Sequence, residues 1–114
     1  KAEDGFIAQV LTQLPQQWDL FDGPLEMVLH AFVPRPKAHY GTGRNAGKLK
    51  DSAPYYPTVK PDFDNLIKHV CDCLNEIVFT DDKLVVRHHF RKDYTTDRPR
   101  TRIYIRELSN GQKD

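Results

Sequence analysis

The stretch PDFDNLIKHVCDCLNEIVFTDD, residues 61–82, decides how this chain is organised. Its residues Asp62–Ile77 project as a helix at about 100° per residue. One arc of this helix is apolar and carries Phe63, Leu66, Ile67, Val70, Cys73, Leu74 and Ile77. The opposite arc is polar and carries Asp64, Asn65, Lys68, His69, Asp72, Asn75 and Glu76. The apolar arc is expected to face the core, so the charged arc is turned outward.

The flanking sequence predicts one more helix and three strands. Ala2–Leu14 has apolar residues at helical spacing and is followed by a proline. Leu25–Val33 alternates between two sides, which is typical of a strand packed on a core. Leu84–Tyr94 and Arg100–Leu108 flank a Thr-Asp-Arg-Pro turn and are predicted to form a β-hairpin. We therefore expect an α/β (α+β) fold, a small mixed β-sheet packed with two helices, in a single domain covering residues 1–114.

The amino-acid composition is typical of a soluble globular protein. Of its 114 residues, 39% are hydrophobic and 29% charged, with no apolar run long enough to span a bilayer and no signal-peptide pattern. We expect a cytoplasmic protein without membrane contact. The chain begins at Lys1 without an initiator methionine, which suggests a processed piece whose first element is missing. Cys71 and Cys73 are two apart in the predicted helix, so they cannot form a disulfide with each other and are expected to be small core residues.

Charge is segregated along the chain although the net charge is only +1. Residues 1–34 carry −4, residues 35–60 carry +5, residues 61–82 carry −5 and residues 83–114 carry +5. An acidic block between two basic blocks suits a divalent cation surrounded by a surface that attracts a polyanion. Ordinary solvated charge is the alternative that this pattern leaves open.

Residues 35–60 are predicted to form a long loop rich in proline, glycine and lysine. Cations in this loop alternate with Tyr40, Tyr55 and Tyr56. Cations meet phosphates and aromatic rings stack on bases, so the combination suits a nucleic-acid strand. The candidate DNA-binding residues are Arg35, Lys37, Arg44, Lys48, Lys50 and Lys60.

Two pairs of carboxylates bracket the predicted helix. Asp62 and Asp64 stand at its start, where capping and the helix dipole explain one acid better than two. Asp81 and Asp82 follow its end, and they approach the first pair if the next strand runs back beside the helix. Converging carboxylates bind Mg²⁺, which polarises a phosphoryl group and activates water. Lys68, one turn after Asp64, would then offset charge on the phosphate; its alternative role is a surface ion pair.

Other metal sites fit the sequence less well. An EF-hand loop requires an oxygen ligand where Leu66 stands, followed by a glycine that is absent. His88 and His89 are adjacent in a predicted strand, so they face opposite sides of the sheet and make a poor zinc site.

The run DFDNLIKHVCDCLN followed by TDD resembles the core motif of the RusA family of Holliday-junction resolvases, D-x-D-N-L-x-K with a later D-D. The resemblance implies a homodimeric, Mg²⁺-dependent endonuclease of mixed α/β fold that nicks four-way DNA junctions. Asp62, Asp64 and Asp82 match the metal-binding aspartates and Lys68 matches the active-site lysine. Asp72 and Asp81 match acidic positions without an assigned role.

Two departures from the family pattern bear on these expectations. Relatives often have an extended strand before the first helix, which this chain lacks, so either a segment is absent or the sheet is smaller. Pro61 stands where some relatives carry a basic residue, and Lys60 is the nearest substitute.

We therefore expect a bacterial or phage-encoded, nucleoid-associated endodeoxyribonuclease that resolves Holliday junctions by paired phosphodiester hydrolysis as a homodimer, with Asp62, Asp64, Lys68 and Asp82 catalytic. The alternatives are a nuclease for other branched or flap DNA, a non-catalytic module that binds DNA junctions and, with less support, a nucleotide hydrolase.

Overall fold

A computed structural model describes residues 2–109 of the chain. The helices are α1, Ala2–Gln13, and α2, Phe63–Leu74; the strands are β1, Leu25–Pro34, β2, Val85–Thr95, and β3, Arg100–Glu107. Three strands in one mixed sheet with two helices confirm the predicted α+β class. Within the described residues, no helix is long and apolar enough to cross a membrane.

Strand β1 lies at the centre of the sheet. The strand order is β2-β1-β3, with β1 parallel to β2 and antiparallel to β3. The predicted hairpin of β2 with β3 is therefore wrong, because β1 separates the two strands. The reason is burial: every second residue of β1, from Leu25 to Val33, is at most 8% exposed, whereas β2 and β3 alternate with charged residues that suit the edges of a sheet.

The core forms between one face of the sheet and the two helices. Val70 and Leu74 of α2 belong to the same buried cluster as Met27 and Leu29 of β1. Phe6 and other apolar residues of α1 pack against this cluster. The predicted apolar arc of α2 is thus the side that faces the sheet. Burying these side chains contributes roughly 1.5–3 kcal/mol each before the entropy of ordering the chain is subtracted.

Helix α2 ends at Leu74, three residues before the predicted end at Ile77. The chain leaves the helix at Asn75, and Glu76 takes a positive φ of 65°. The Glu76 N–H then donates to the Phe79 carbonyl at 2.7 Å, which closes a tight turn. Phe79 is fully buried, so the turn is held by the core although its sequence continues the apolar helical pattern.

After this turn, β2 runs back beside α2. The Phe90 ring of β2 lies 6.1 Å from the ring of Phe63 at the start of the helix. Residues 81–84 therefore stay at the carboxyl end of α2, while the far end of β2 reaches the amino end. Asp62 and Asp64 therefore lie close to the middle of β2, and Asp82 lies at the other end of α2.

The conformation of Glu76 leads to a stability prediction. We expect Glu76→Gly to raise the free energy of unfolding by up to about 1 kcal/mol, because a side chain at positive φ costs about 1–2 kcal/mol and the added flexibility of the unfolded chain offsets part of that gain. Urea denaturation measures the change. Glu76→Ala retains a Cβ atom and is the matched control; a glycine variant no more stable than the alanine variant contradicts the prediction.

Candidate active site

Asp62 and Asp64 present carboxylates at the amino end of α2. Asp62 is the residue that caps the helix, but its side chain makes no capping hydrogen bond. Asp64 lies in the first turn, where its Oδ1 accepts from the Asn65 N–H at 2.9 Å. Both residues are exposed, and both line a cavity of about 490 Å³. The carboxylate of Asp62 is therefore not engaged in capping and is available to a ligand.

Lys92 of β2 completes the lining of this cavity. Its Nζ donates to the backbone carbonyls of Val59 and Pro61, within the three residues before Asp62. Lys92 thus shares a cavity with the two aspartates and holds the backbone that leads into Asp62. Sequence reasoning missed Lys92. The available signal was a lysine in alternation with Phe90, on the side of β2 that faces the helices.

Asp82 lies at the opposite end of α2. It begins a short 3-10 helix, Asp82–Leu84, and its Oδ2 accepts from Asn75 Nδ2 at 3.2 Å. Asp81 caps the same short helix, because its Oδ1 accepts from the Lys83 N–H at 2.8 Å. Asp81 therefore has a structural contact that accounts for it, whereas Asp82 is half-buried and directed toward the helix end.

The side chain of Asn75 is only partly satisfied. Its amide nitrogen donates to Asp82, but its buried Oδ1 has no hydrogen-bond partner among the described residues. A buried acceptor without a donor is costly, on the order of 1–3 kcal/mol, and calls for an enclosed water. The half-buried Asp82 carboxylate is therefore the accessible oxygen donor at this end of the helix, whereas Asn75 Oδ1 is enclosed.

Within one chain, the structure does not bring Asp82 to Asp62 and Asp64. The helix from Asp64 to Asn75 rises about 1.5 Å per residue, which separates the two ends by roughly 16 Å. Across residues 2–109, no group of three His, Cys, Asp or Glu side chains is placed to hold a metal ion. The strand after the helix does run back as expected, but it carries Lys92 to Asp62 and leaves the Asp81–Asp82 turn behind. The metal-binding role of the three aspartates stays a prediction.

Burial raises the pKa of the Cys71 thiol near the Asp82 end of the helix. Burial, together with the smaller effects of the charges on Asp82 and Asp72, raises the pKa of Cys71 from 9.0 to about 11. Cys71 and Cys73 are both buried and form no disulfide, which confirms that they are core residues. At neutral pH the Cys71 thiol is therefore protonated and a poor metal ligand.

Lys68 is exposed one turn after Asp64. In the part of the chain that the structure describes, no salt bridge joins Lys68 to Asp64, so the routine surface ion pair is not formed. The ammonium group is consequently free to meet a ligand phosphate. Its catalytic role stays a prediction.

The long loop before α2 is ordered by its own backbone. The Gly41 N–H donates to the Lys48 carbonyl at 2.9 Å, and a Cβ atom at Gly41 would lie 2.7 Å from the Cβ of Asn45, so only glycine fits there. Five of the six candidate DNA-binding cations are exposed: Lys37, Arg44, Lys48, Lys50 and Lys60. Arg35 is different, since its guanidinium covers the Tyr94 ring at 4.1 Å and donates to the Pro54 carbonyl at 2.9 Å. The DNA contacts of all six residues stay predictions.

Comparison with known proteins places this arrangement in a family. The family model described as Endodeoxyribonuclease RusA matches residues 4–106. The chain belongs to the RusA endodeoxyribonuclease family. This RusA-family chain is 37% identical over 90 residues to the uncharacterized protein YqaN of Bacillus subtilis (strain 168), which covers 79% of the chain and 62% of YqaN. The chain thus spans less than two thirds of the length of that relative. No solved structure matches it significantly.

The contacts of Lys92 in this RusA-family chain lead to a second prediction. Lys92→Met should lower the free energy of unfolding by about 1–3 kcal/mol, because two carbonyls lose a charged donor in a half-buried position. It should also slow any metal-dependent reaction, since the backbone before Asp62 is no longer held. Lys92→Arg, which retains a cationic donor, is the control and should show smaller losses of stability and of reaction rate. Urea denaturation and hydrogen exchange at residues 62–66 measure the effect; equal losses in both variants contradict it.

Proposed function

We propose that the protein is a Mg²⁺-dependent endodeoxyribonuclease that resolves four-way DNA junctions by paired phosphodiester hydrolysis as a homodimer. Membership of the RusA family supports the reaction class. The observation that carries the proposal is the pair of acidic ends on α2, each with carboxylate oxygens that no capping bond or salt bridge among the described residues consumes. Asp62 and Asp64 supply one end, and Asp82 supplies the other.

The donor atoms fit magnesium. Mg²⁺ prefers oxygen ligands and keeps several waters, so it is bound by a few carboxylates together with substrate phosphates. Asp62, Asp64 and Asp82 offer only oxygen, and the amide of Asn75 donates to Asp82 Oδ2 and so helps to hold that carboxylate in place. The nearby thiol of Cys71 is held protonated by burial, which raises its pKa, and so does not compete as a ligand.

Each residue then has a role in phosphodiester hydrolysis. When bound, Mg²⁺ supplies Lewis-acid polarisation of the phosphate and lowers the pKa of water. Asp62 and Asp64 hold the site at the helix start, and Lys92 fixes the backbone that positions them. Lys68 lies one turn further and would pair with a non-bridging phosphate oxygen, where negative charge grows as water oxygen bonds to phosphorus and one ester bond breaks. The exposed loop cations would contact neighbouring phosphates.

A second copy of the chain would complete the site. Because the two acidic ends are about 16 Å apart along one rigid helix, one chain cannot bring them to a shared ion. Two copies of α2 packed antiparallel about a two-fold axis would place Asp64 of one copy beside the partner's Asp82. The same register sets Lys68, near the middle of the helix, opposite the partner's Asp72, so opposite charges meet twice across the axis.

The surface of the chain supports a dimer. Phe63 at the start of α2 is 60% exposed and Val59 is 48% exposed, so apolar surface surrounds Asp62 and Asp64. A symmetric partner would bury that surface.

Cleavage of a synthetic four-way junction tests the reaction. With Mg²⁺ the wild-type protein should nick opposite strands, and Asp64→Asn and Asp82→Asn should each slow the reaction by at least about 100-fold, because each removes a charged ligand. A linear duplex of the same sequence and a flap substrate are the comparison substrates. Cleavage of the flap alone would replace junction resolution with the flap nuclease function. No cleavage of any substrate would refute the enzyme.

Mixing two inactive variants tests the shared site. A refolded mixture of Asp64→Asn with Asp82→Asn should regain about a quarter of wild-type nicking, because about half of the dimers are mixed and each mixed dimer holds one intact site. The control mixture of Asp62→Asn with Asp64→Asn should stay inactive, since both changes damage the same half of every site. If the wild type cuts junctions but the first mixture stays inactive, the nuclease function stands and the shared site does not.

A further inference from the structure

The face of the sheet that points away from the helices carries five arginines. Residues paired across the sheet share a face, and the pairing of β1 with its two neighbours groups Glu26, Val28, His30 and Phe32 with alternate residues of β2 and β3. The arginines of this face are Arg87, Arg91, Arg100, Arg102 and Arg106. The core cluster that packs against the helices uses the other face. These five residues are called the arginine face below.

Two of these arginines lie over an aromatic ring. The guanidinium groups of Arg100 and Arg102 lie 4.0 and 5.3 Å from the centre of the Phe32 ring. Arg100 also donates from its Nη1 to the Arg98 carbonyl at 3.1 Å, so its remaining N–H groups and those of Arg102 are the ones that match the oxygens of a phosphate. The arrangement therefore presents ordered donors rather than freely moving side chains.

The arginine face keeps a positive charge after its internal ion pairs are formed. Arg106 pairs with Glu26 at 2.6 Å and Arg91 pairs with Asp93 at 2.9 Å. Five arginines against these two carboxylates leave a net charge of +3, with the histidines neutral. Among the described residues, no salt bridge engages the exposed side chains of Arg87 and Arg102.

This charge argues against a second copy of the chain on the arginine face. A two-fold contact would set one +3 surface against another, and like charges in contact are destabilising. A polyanion is favoured instead. From Arg100 to Arg106 the row extends about 20 Å along β3, which is more than half of one turn of a DNA duplex.

We infer that the arginine face binds the phosphate backbone of a duplex DNA arm, as a second contact surface separate from the carboxylate site. The inference rests on the proposed action on branched DNA but not on cleavage. The cavity with Asp62 and Asp64 lies on the opposite side of the sheet, so the arm held here is not the strand being cut. A branched substrate has several arms and can occupy both sides of the molecule, whereas a single linear duplex cannot.

Salt-dependent binding in EDTA tests this surface. Fluorescence anisotropy would give Kd for a labelled four-way junction and a linear duplex at several NaCl concentrations. The double variant Arg87→Ala/Arg102→Ala should reduce the slope of log K against log [NaCl] by about 2, because each lost phosphate contact removes roughly 0.9. Arg98→Ala, an exposed arginine in the β2–β3 connection outside the face, is the control and should leave the slope within experimental error.

Two further variants sharpen the result. Arg102→Lys keeps a cation and should retain the slope, although it loses the stacked geometry. Tyr104→Ala removes an exposed ring from the same face and should leave duplex affinity unchanged; a loss confined to single-stranded DNA in this variant and in the double variant would overturn the duplex assignment. An unchanged slope in the double variant, or the same change in Arg98→Ala, would refute the arginine face.

Oligomeric state and cleavage separate this inference from the proposed function. Sedimentation should show the same assembly for the double variant and the wild type, and a shift in assembly would identify the face as a contact between copies and refute the inference. If the protein binds DNA with the predicted slopes but cuts no substrate, the arginine face is supported and the nuclease function is refuted. If it cuts junctions but the double variant leaves the slope unchanged, the nuclease function is supported and the arginine face is refuted.

Discussion

The length of α2 is the constraint on which the candidate site depends. A twelve-residue helix is a rigid spacer, and its two ends carry different oxygen donors. The amino end presents Asp62 and Asp64 over a cavity closed by Lys92, and the carboxyl end presents Asp82 against Asn75. The rise of the helix holds the two ends about 16 Å apart. Under the proposed function, a single ion held by all three aspartates would need a second copy of the chain.

The two faces of the sheet carry different kinds of residue. Only β1 is apolar enough to be enclosed by neighbours on both edges, and its inward residues form the floor on which both helices pack. Its outward residues lie on the same face of the sheet as the arginines of β2 and β3. One thin layer of three strands thus separates an acidic side, built around α2, from a basic side.

Much of this structure was predictable from local sequence pattern. The apolar arc of α2, the alternation of β1 and the opposite directions of His88 and His89 all follow from periodicity, which reports the nearest neighbours of each residue. Strand order was not predictable in this way: the short connection between β2 and β3 favours a hairpin, but the preference of β1 for the buried centre prevails. The end of α2 was also misplaced, because Glu76 adopts a positive φ and glycine, the usual sequence signal for that conformation, is absent at this position.

The candidate site, like the fold, was only partly predictable from local sequence pattern. The aspartates were proposed from their spacing and from the motif that they match, and their metal-binding role stays a prediction. Their separation by a rigid helix depends on the folded structure, which sequence spacing does not report. Lys92 was missed because its importance arises from carbonyls some thirty residues earlier in the chain, at Val59 and Pro61. Nothing in the spacing of the motif points to such a contact.

The position of Lys92 in β2 makes the register of this strand important for both faces of the sheet. Its neighbour Arg91 points to the other side of the sheet, so consecutive residues of one edge strand belong to the basic surface and to the acidic cavity. Arg91 pairs with Asp93 on one face, and Lys92 donates to the Val59 and Pro61 carbonyls on the other. A one-residue shift in the pairing of β2 with β1 would therefore exchange the two side chains between the faces and remove both contacts at once.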